Sequence, residues 1–139
     1  VRSRLHAAAS VTVADYLRAQ EERRRIIASF DRQLQFVDAL ISPISAVGPS
    51  RIDNSDEGVL DGEVWPLREL VMPFTVPQNM TGLPTGIVRA GHDADHLPVG
   101  VQLTAPRWRE DTAVAVAGAL QLALGPIKIA DVPNRLDGS

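Results

Sequence analysis

The chain has 139 residues, enough for one domain, or a part of a larger one, with a core of its own. Its 45% hydrophobic and 22% charged residues exclude a disordered tail, and its net charge of −3 offers no basic face to nucleic acid or to an anionic membrane. The absence of cysteine excludes disulfides and thiol chemistry and fits a reducing compartment.

Val1 to Ser10 carries arginines but no apolar segment of signal-peptide length. The longest apolar stretch, Ala113 to Leu124, is interrupted by Gln121 and is too short to span a bilayer. A soluble, cytoplasmic protein is therefore expected. Thr12-Val13-Ala14-Asp15 has the form of a capping box, in which the Thr12 hydroxyl accepts from a first-turn amide and Asp15 reaches back. A helix over residues 13–37 is expected to follow. Leu17, Ile27, Phe30, Leu34 and Val37 keep to helical spacing and share one face. Glu21 to Arg25 reads as a solvated face with a Glu21–Arg25 pair worth about 0.3 kcal/mol. A reading as an anion patch fails because Glu21 and Glu22 cancel much of the charge.

Ala39-Leu40-Ile41 is short and wholly apolar, as a buried strand would be, and Pro43 stops it. Residues 44–72 form a long irregular region, a variable loop punctuated by Pro49, Gly58, Gly62 and Pro66 and rich in acids. Pro77, then Gly82-Leu83-Pro84, then Gly91 supply turn or breaker signals in the run from Pro73 to Gly91. Ile87-Val88 and Leu97 to Leu103 flank a polar tip and predict a hairpin over 85–104. Pro106 begins a turn. Acids then open a helix over 110–124, whose small residues allow close packing on a sheet and which Gly125-Pro126 ends. Ile127 to Ala130 is one more possible strand.

Few residues form a constellation with chemistry. Asp53 to Val64 partly matches a calcium loop, but its twelfth position is Val64 where a bidentate Glu is needed, so a solvated acidic loop is the reading kept. His92 and His96 are four apart, a metal-binding spacing on a helix but not at a hairpin tip, and no metal site is expected. His6 stands alone. None of the eight serines sits in a Gly-x-Ser-x-Gly elbow, and the single lysine, Lys128, lies near the C-terminus. No Gly-rich phosphate loop is present, and no cofactor is expected.

The order helix, FVDALISP, variable loop, TVPQNMTGLP, hairpin, LPVGVQL and Ala-rich helix resembles the C-terminal part of the amidase signature family. The resemblance covers Tyr16 to Leu122, and Asn79 to Pro84 followed by LPVGVQL is its specific part. It implies an α/β fold, a partial mixed sheet flanked by helices, and hydrolysis of carboxamides by two serines and a lysine base. In the family those groups belong to the part of the fold preceding this segment. No Gly-Gly-Ser-Ser-Gly-Gly run occurs here, and Lys128 lies where the family has no catalytic group, so no catalytic residue is carried over. The resemblance further implies that Thr75, Asn79, Thr81, Gly82 and Pro84 form a structural turn into the central sheet, and that Trp65 and Leu67 in the variable loop wall a substrate pocket. Arg89 departs from the family's usual proline, and Ile44 from its common threonine.

The expectation is a single segment, residues 1–139, forming the C-terminal portion of an amidase-type hydrolase that lacks the Ser-Ser-Lys residues. Its substrate would be a small-molecule amide in the full-length parent, and it would pair with the missing N-terminal portion or with itself. The alternative is a non-catalytic amidase-like module acting as a scaffold or binding partner.

Overall fold

A computed structural model describes His6 and residues 8 to 126. The possible strand from Ile127 to Ala130 and Lys128 lie outside these residues.

Helix α1 spans Val13–Gln33. The expected capping box closes it: the Asp15 N–H donates to Thr12 Oγ1 at 3.2 Å, and the Thr12 N–H donates to Asp15 Oδ2 at 3.0 Å. The helix stops four residues short of the expected Val37. Leu34 is buried and serves as the C-cap, its N–H still bonded to the Phe30 carbonyl, after which the chain turns toward the first strand. Phe36, 82% exposed, and Val37 are therefore not on the core-facing stripe. On the solvated face, Glu21 pairs most tightly with Arg24 at 2.7 Å, and its contact with Arg25 is a looser 3.7 Å. Such exposed pairs contribute little.

Strand β1 is Leu40–Pro43, β2 is Glu57–Leu60 and β3 is Glu63–Pro66. Helix α2 is Leu67–Thr81, β4 is Thr85–His92, β5 is Pro98–Thr104 and α3 is Glu110–Leu124. The strands form an antiparallel sheet in the order β1-β5-β4 and a separate β2-β3 ribbon. This is an α/β architecture. Helix α3 packs on β4 and β5, where a Cβ at Gly86 would lie 3.6 Å from that of Ala117. Small side chains on both sides thus let helix and sheet approach closely.

The variable loop expected over 44–72 is irregular only in its first part, residues 44–56. Asp61 and Gly62, at φ 53° and 84°, form the two positive-φ positions of a tight hairpin turn, and Val59 pairs with Val64 across it. Val64 is thus a strand residue, and the acidic stretch is a ribbon rather than an ion-binding loop. The last six residues of the expected loop, 67–72, are the start of α2.

The larger correction is α2 itself. The expected turn residues Thr75 and Asn79 are helical, and Pro73 and Pro77 lie inside the helix. A proline at i removes the N–H for the carbonyl at i−4 and pushes that turn open. The carbonyls one position further on find donors outside the helix. The Leu70 carbonyl accepts from the Ala46 N–H at 2.9 Å, and the Phe74 carbonyl accepts from the Gln102 side-chain amide. The same Gln102 nitrogen donates to the Pro43 carbonyl at 2.9 Å. Gln102 is 2% exposed, so β1, β5 and α2 meet at one buried amide.

The end of α2 is satisfied by contacts from three directions. Gly82, at φ 68°, is the left-handed C-cap, and its N–H bonds to the Gln78 carbonyl. Arg23 Nε donates to the Met80 carbonyl at 2.7 Å, and Arg107 Nη2 donates to the Thr81 carbonyl at 2.9 Å. Both cations lie at the negative end of the helix dipole.

Gln102→Met should leave the Pro43 and Phe74 carbonyls without that donor and lower stability by about 2–3 kcal/mol in urea unfolding; a change under about 0.5 kcal/mol would contradict the role given to this amide. Arg107→Ala should cost about 1 kcal/mol and speed amide exchange in the last turn of α2. Hydrogen bonds from the Thr12 hydroxyl and amide, then from Arg18, hold the Asp15 carboxyl below the ordinary aspartate range. A carboxyl so lowered supports the fold fully above its unfolded-state value and ceases to as pH falls through its folded value. Protection of the first-turn amides of α1 should therefore be level from neutrality through the mildly acidic range and fall only below the ordinary aspartate range, a step that Asp15→Asn should abolish.

Candidate functional site

Beyond Pro43 the chain crosses over one face of the sheet, and residues 44–50 become the roof of a groove. Its floor is the sheet at Ile87, Val99 and Gly100, and its far wall is α2. Leu67, Val71 and Thr75 recur every four residues and so present one helical face to it. Gly100 keeps the floor low, since a Cβ there would lie 3.0 Å from Ile44 Cδ1. The volume is about 520 Å³, the size of a small-molecule site, and most of the lining is apolar.

The mouth is set by the β4–β5 hairpin. Asp93 Oδ1 accepts from the N–H groups of Asp95, at 3.0 Å, and Leu97, at 2.8 Å. This organises the tip, with His96 at φ 62°. Asp93 Oδ2 lies close enough to Gly48 that a Cβ there would sit 2.8 Å from it. The hairpin tip therefore touches the roof loop and helps to fix the groove. His92 and His96 are exposed, and among the described residues no group of three or more His, Cys, Asp or Glu could hold a metal.

The chemistry of the groove is that of a binding wall. Thr75 supplies a hydroxyl, and Ser45 Oγ accepts from the Val47 N–H at 3.1 Å. Ser42 lies in β1 opposite Gln102. None of the described residues is a lysine. A second cavity, about 710 Å³, lies between the end of α2, the start of β4 and α3, and includes Gln78, whose Oε1 is buried without a hydrogen-bond partner.

The two residues expected as pocket walls are separated. Leu67 lines the apolar groove, whereas Trp65 is in β3, 39% exposed, opposite Gly58, and does not line it. Thr81, Gly82 and Pro84 make the passage from α2 to β4. Thr81 is buried with its hydroxyl on the Gln78 carbonyl at 3.1 Å, and the Pro84 carbonyl accepts from the Ala105 N–H at 3.0 Å. Asn79 is exposed in the last turn of the helix and borders the second cavity. Val71, Ile44 and Val99 were not expected in a site. The spacing of Leu67, Val71 and Thr75 was readable, but Pro73 and Pro77 masked it.

A family model described as Amidase matches residues 1–114. The chain is 37% identical over 120 residues to fatty acid amide hydrolase of Medicago truncatula, covering 86% of this chain and 19% of that protein. It is 34% identical over 112 residues to a glutamyl-tRNA(Gln) amidotransferase subunit of Maricaulis maris (strain MCS10), covering 81% of this chain and 22% of that one. A solved amidase structure superposes with a TM-score of 0.80 at 27% identity, over 89% of this chain and 28% of that one. A chain from a complex described as vestigial, and as revealing the origins of an s-triazine catabolic enzyme, gives 0.76 at 27% identity, over 88% of this chain and 27% of that one. The chain thus spans about a fifth of the length of these curated relatives. The matching family model, these relatives and the shared fold agree, and the chain belongs to the amidase family.

Proposed function

We propose that this chain is the scaffold and substrate-wall portion of an amidase-type hydrolase, which converts a carboxamide and water to a carboxylate and ammonia or an amine. The observation that carries this reading is the apolar groove of about 520 Å³ between α2, the sheet and the roof loop, in a chain that belongs to the amidase family. Such a groove suits the non-reacting part of an amide. Acyl transfer also needs a nucleophile, a base and oxyanion donors in one place. In this reading they come from the larger part of the domain, and the 139 residues lack the Ser-Ser-Lys set. No cofactor is required.

A second reading is a non-catalytic amidase-like module that serves as a scaffold or binding partner. It is favoured by the likeness to a chain from a complex described as vestigial.

The purified 139-residue chain should neither turn over a simple aliphatic amide nor be labelled by an active-site serine probe. A longer polypeptide that joins it to a Ser-rich amidase signature should do both. Turnover by the short chain would overturn the proposal and make Ser42 and Ser45 the first mutations. Failure of the longer polypeptide, if folded, would favour the non-catalytic module.

A further inference from the structure

We infer that the cavity beside Arg89, at the outer margin of β4, is a binding site for a small organic carboxylate. The proposal goes beyond the functional reading above and does not depend on it. The cavity holds about 150 Å³ and is lined by Ile87, Val88 and Arg89 of β4 and by Gln121, Leu124 and Gly125 at the end of α3. Arg89 is part-buried, and its Nε is buried without a hydrogen-bond partner. Every other described arginine is bonded to a carboxylate or a carbonyl, or is exposed to water. Arg89 makes no ion pair among the described residues. A charged donor withdrawn from water without an acceptor is costly, so the site calls for an acceptor of opposite charge.

The donors present set the chemistry of the ligand. Nε and one Nη of a guanidinium form an edge that meets both oxygens of a carboxylate. The Ala105 N–H bonds to the Pro84 carbonyl while Thr85 lies opposite Thr104. In an antiparallel ladder this bonds Gly86 and Val88 to β5 and turns the Ile87 N–H to the outer margin. One cation, one backbone N–H and the Gln121 side-chain amide, set among Ile87, Val88 and Leu124, match a single negative charge on a short apolar body. A phosphate would bring more charge and more acceptor oxygens than those donors serve.

Two local features agree. The ladder is irregular between Arg89 and Gly91, and such a bulge re-aims the side chain beside it and discourages further strand pairing. A small ligand therefore suits this margin better than another strand. The C-terminal end of α3 forms the other wall, at Leu124 and Gly125. It carries about −0.5 of an elementary charge, which steadies the guanidinium but is outweighed by its full positive charge, so the cavity still favours an anion.

To test the site, the 139-residue chain is isotope-labelled for NMR and titrated with sodium butyrate. Butyramide serves as the neutral counterpart, and sodium chloride and inorganic phosphate are compared at matched ionic strength. The Arg89 Nε–H signal, assigned through its own side-chain carbons, and the Ile87 backbone amide are read together. Butyrate should move both signals in one saturable step and slow exchange of the Arg89 Nε–H by about tenfold or more, whereas butyramide and chloride should leave both in place. Arg89→Lys, which keeps the charge but loses the fork, should weaken the response of Ile87 to butyrate by about tenfold. An equal response to butyramide, or a butyrate response matched by chloride or phosphate, overturns the carboxylate site, as does no response at all. An Arg89 Nε–H that is already slow to exchange in the free chain, and is released by Asp131→Asn or Asp137→Asn, assigns the guanidinium to an acid of the chain itself and also overturns it. If Arg89→Lys does not fold, the contrast between butyrate and butyramide on the native chain still decides. The turnover assay above decides the functional reading separately, and either can fail without the other.

Discussion

The side-chain amide of Gln102 joins three parts of this fold, β1, β5 and α2, at one buried point. Its nitrogen donates to a carbonyl at the end of β1 and to another in the middle of α2, from the central strand of the sheet. A hydrocarbon side chain of similar volume would fill the space but leave those carbonyls without that donor, and unmet hydrogen bonds are costly in a low-dielectric interior. Pro43 ends β1, and residues 44–50 leave from that point to roof the groove, so the amide also fixes where the roof begins.

The same interaction attaches a helix that contains two prolines. Pro73 and Pro77 each take a donor out of α2, and in isolation such a helix would bend or break. Here the carbonyls of Leu70 and Phe74, four residues apart and on one face, turn to donors of the roof loop and the sheet. These bonds attach the helix and hold Leu67, Val71 and Thr75 as one wall of the groove. The far end of α2 is held by Gly82 and by two arginines remote in sequence, Arg23 and Arg107. A groove with fixed walls binds an apolar group without first ordering its own side chains, which lowers the entropic cost of binding.

The exposed apolar surface has the complementary meaning. Isolated hydrophobic residues at a surface are ordinary. An apolar strand at a sheet margin, with Ile41 uncovered, is not.

The sequence by itself determined the elements whose cause is local. Thr12 and Asp15 start α1 because their side chains reach the amides beside them, and the alternation around a polar tip suffices for the β4–β5 hairpin. The acids at Glu110 and Asp111 and the break at Gly125-Pro126 bound α3 for the same reason. The Asp61-Gly62 turn was equally local, and it was obscured by the acidic residues around it rather than by any tertiary effect. The amidase resemblance was legible because the residues from Asn79 to Pro84 and the strand with Gln102 keep a fixed spacing in the chain. Only the tertiary structure decided the rest. Two prolines argue against a helix, and only the packed structure shows one there, with donors from Ala46 and Gln102, distant in sequence, on its carbonyls. Leu67 and Trp65, two residues apart, diverge because one begins a helix and the other ends a ribbon, and Ile44, Val71 and Val99 meet only when three separate segments pack. Local patterns carry short-range energies, and a groove wall is a long-range coincidence that those energies do not encode one segment at a time.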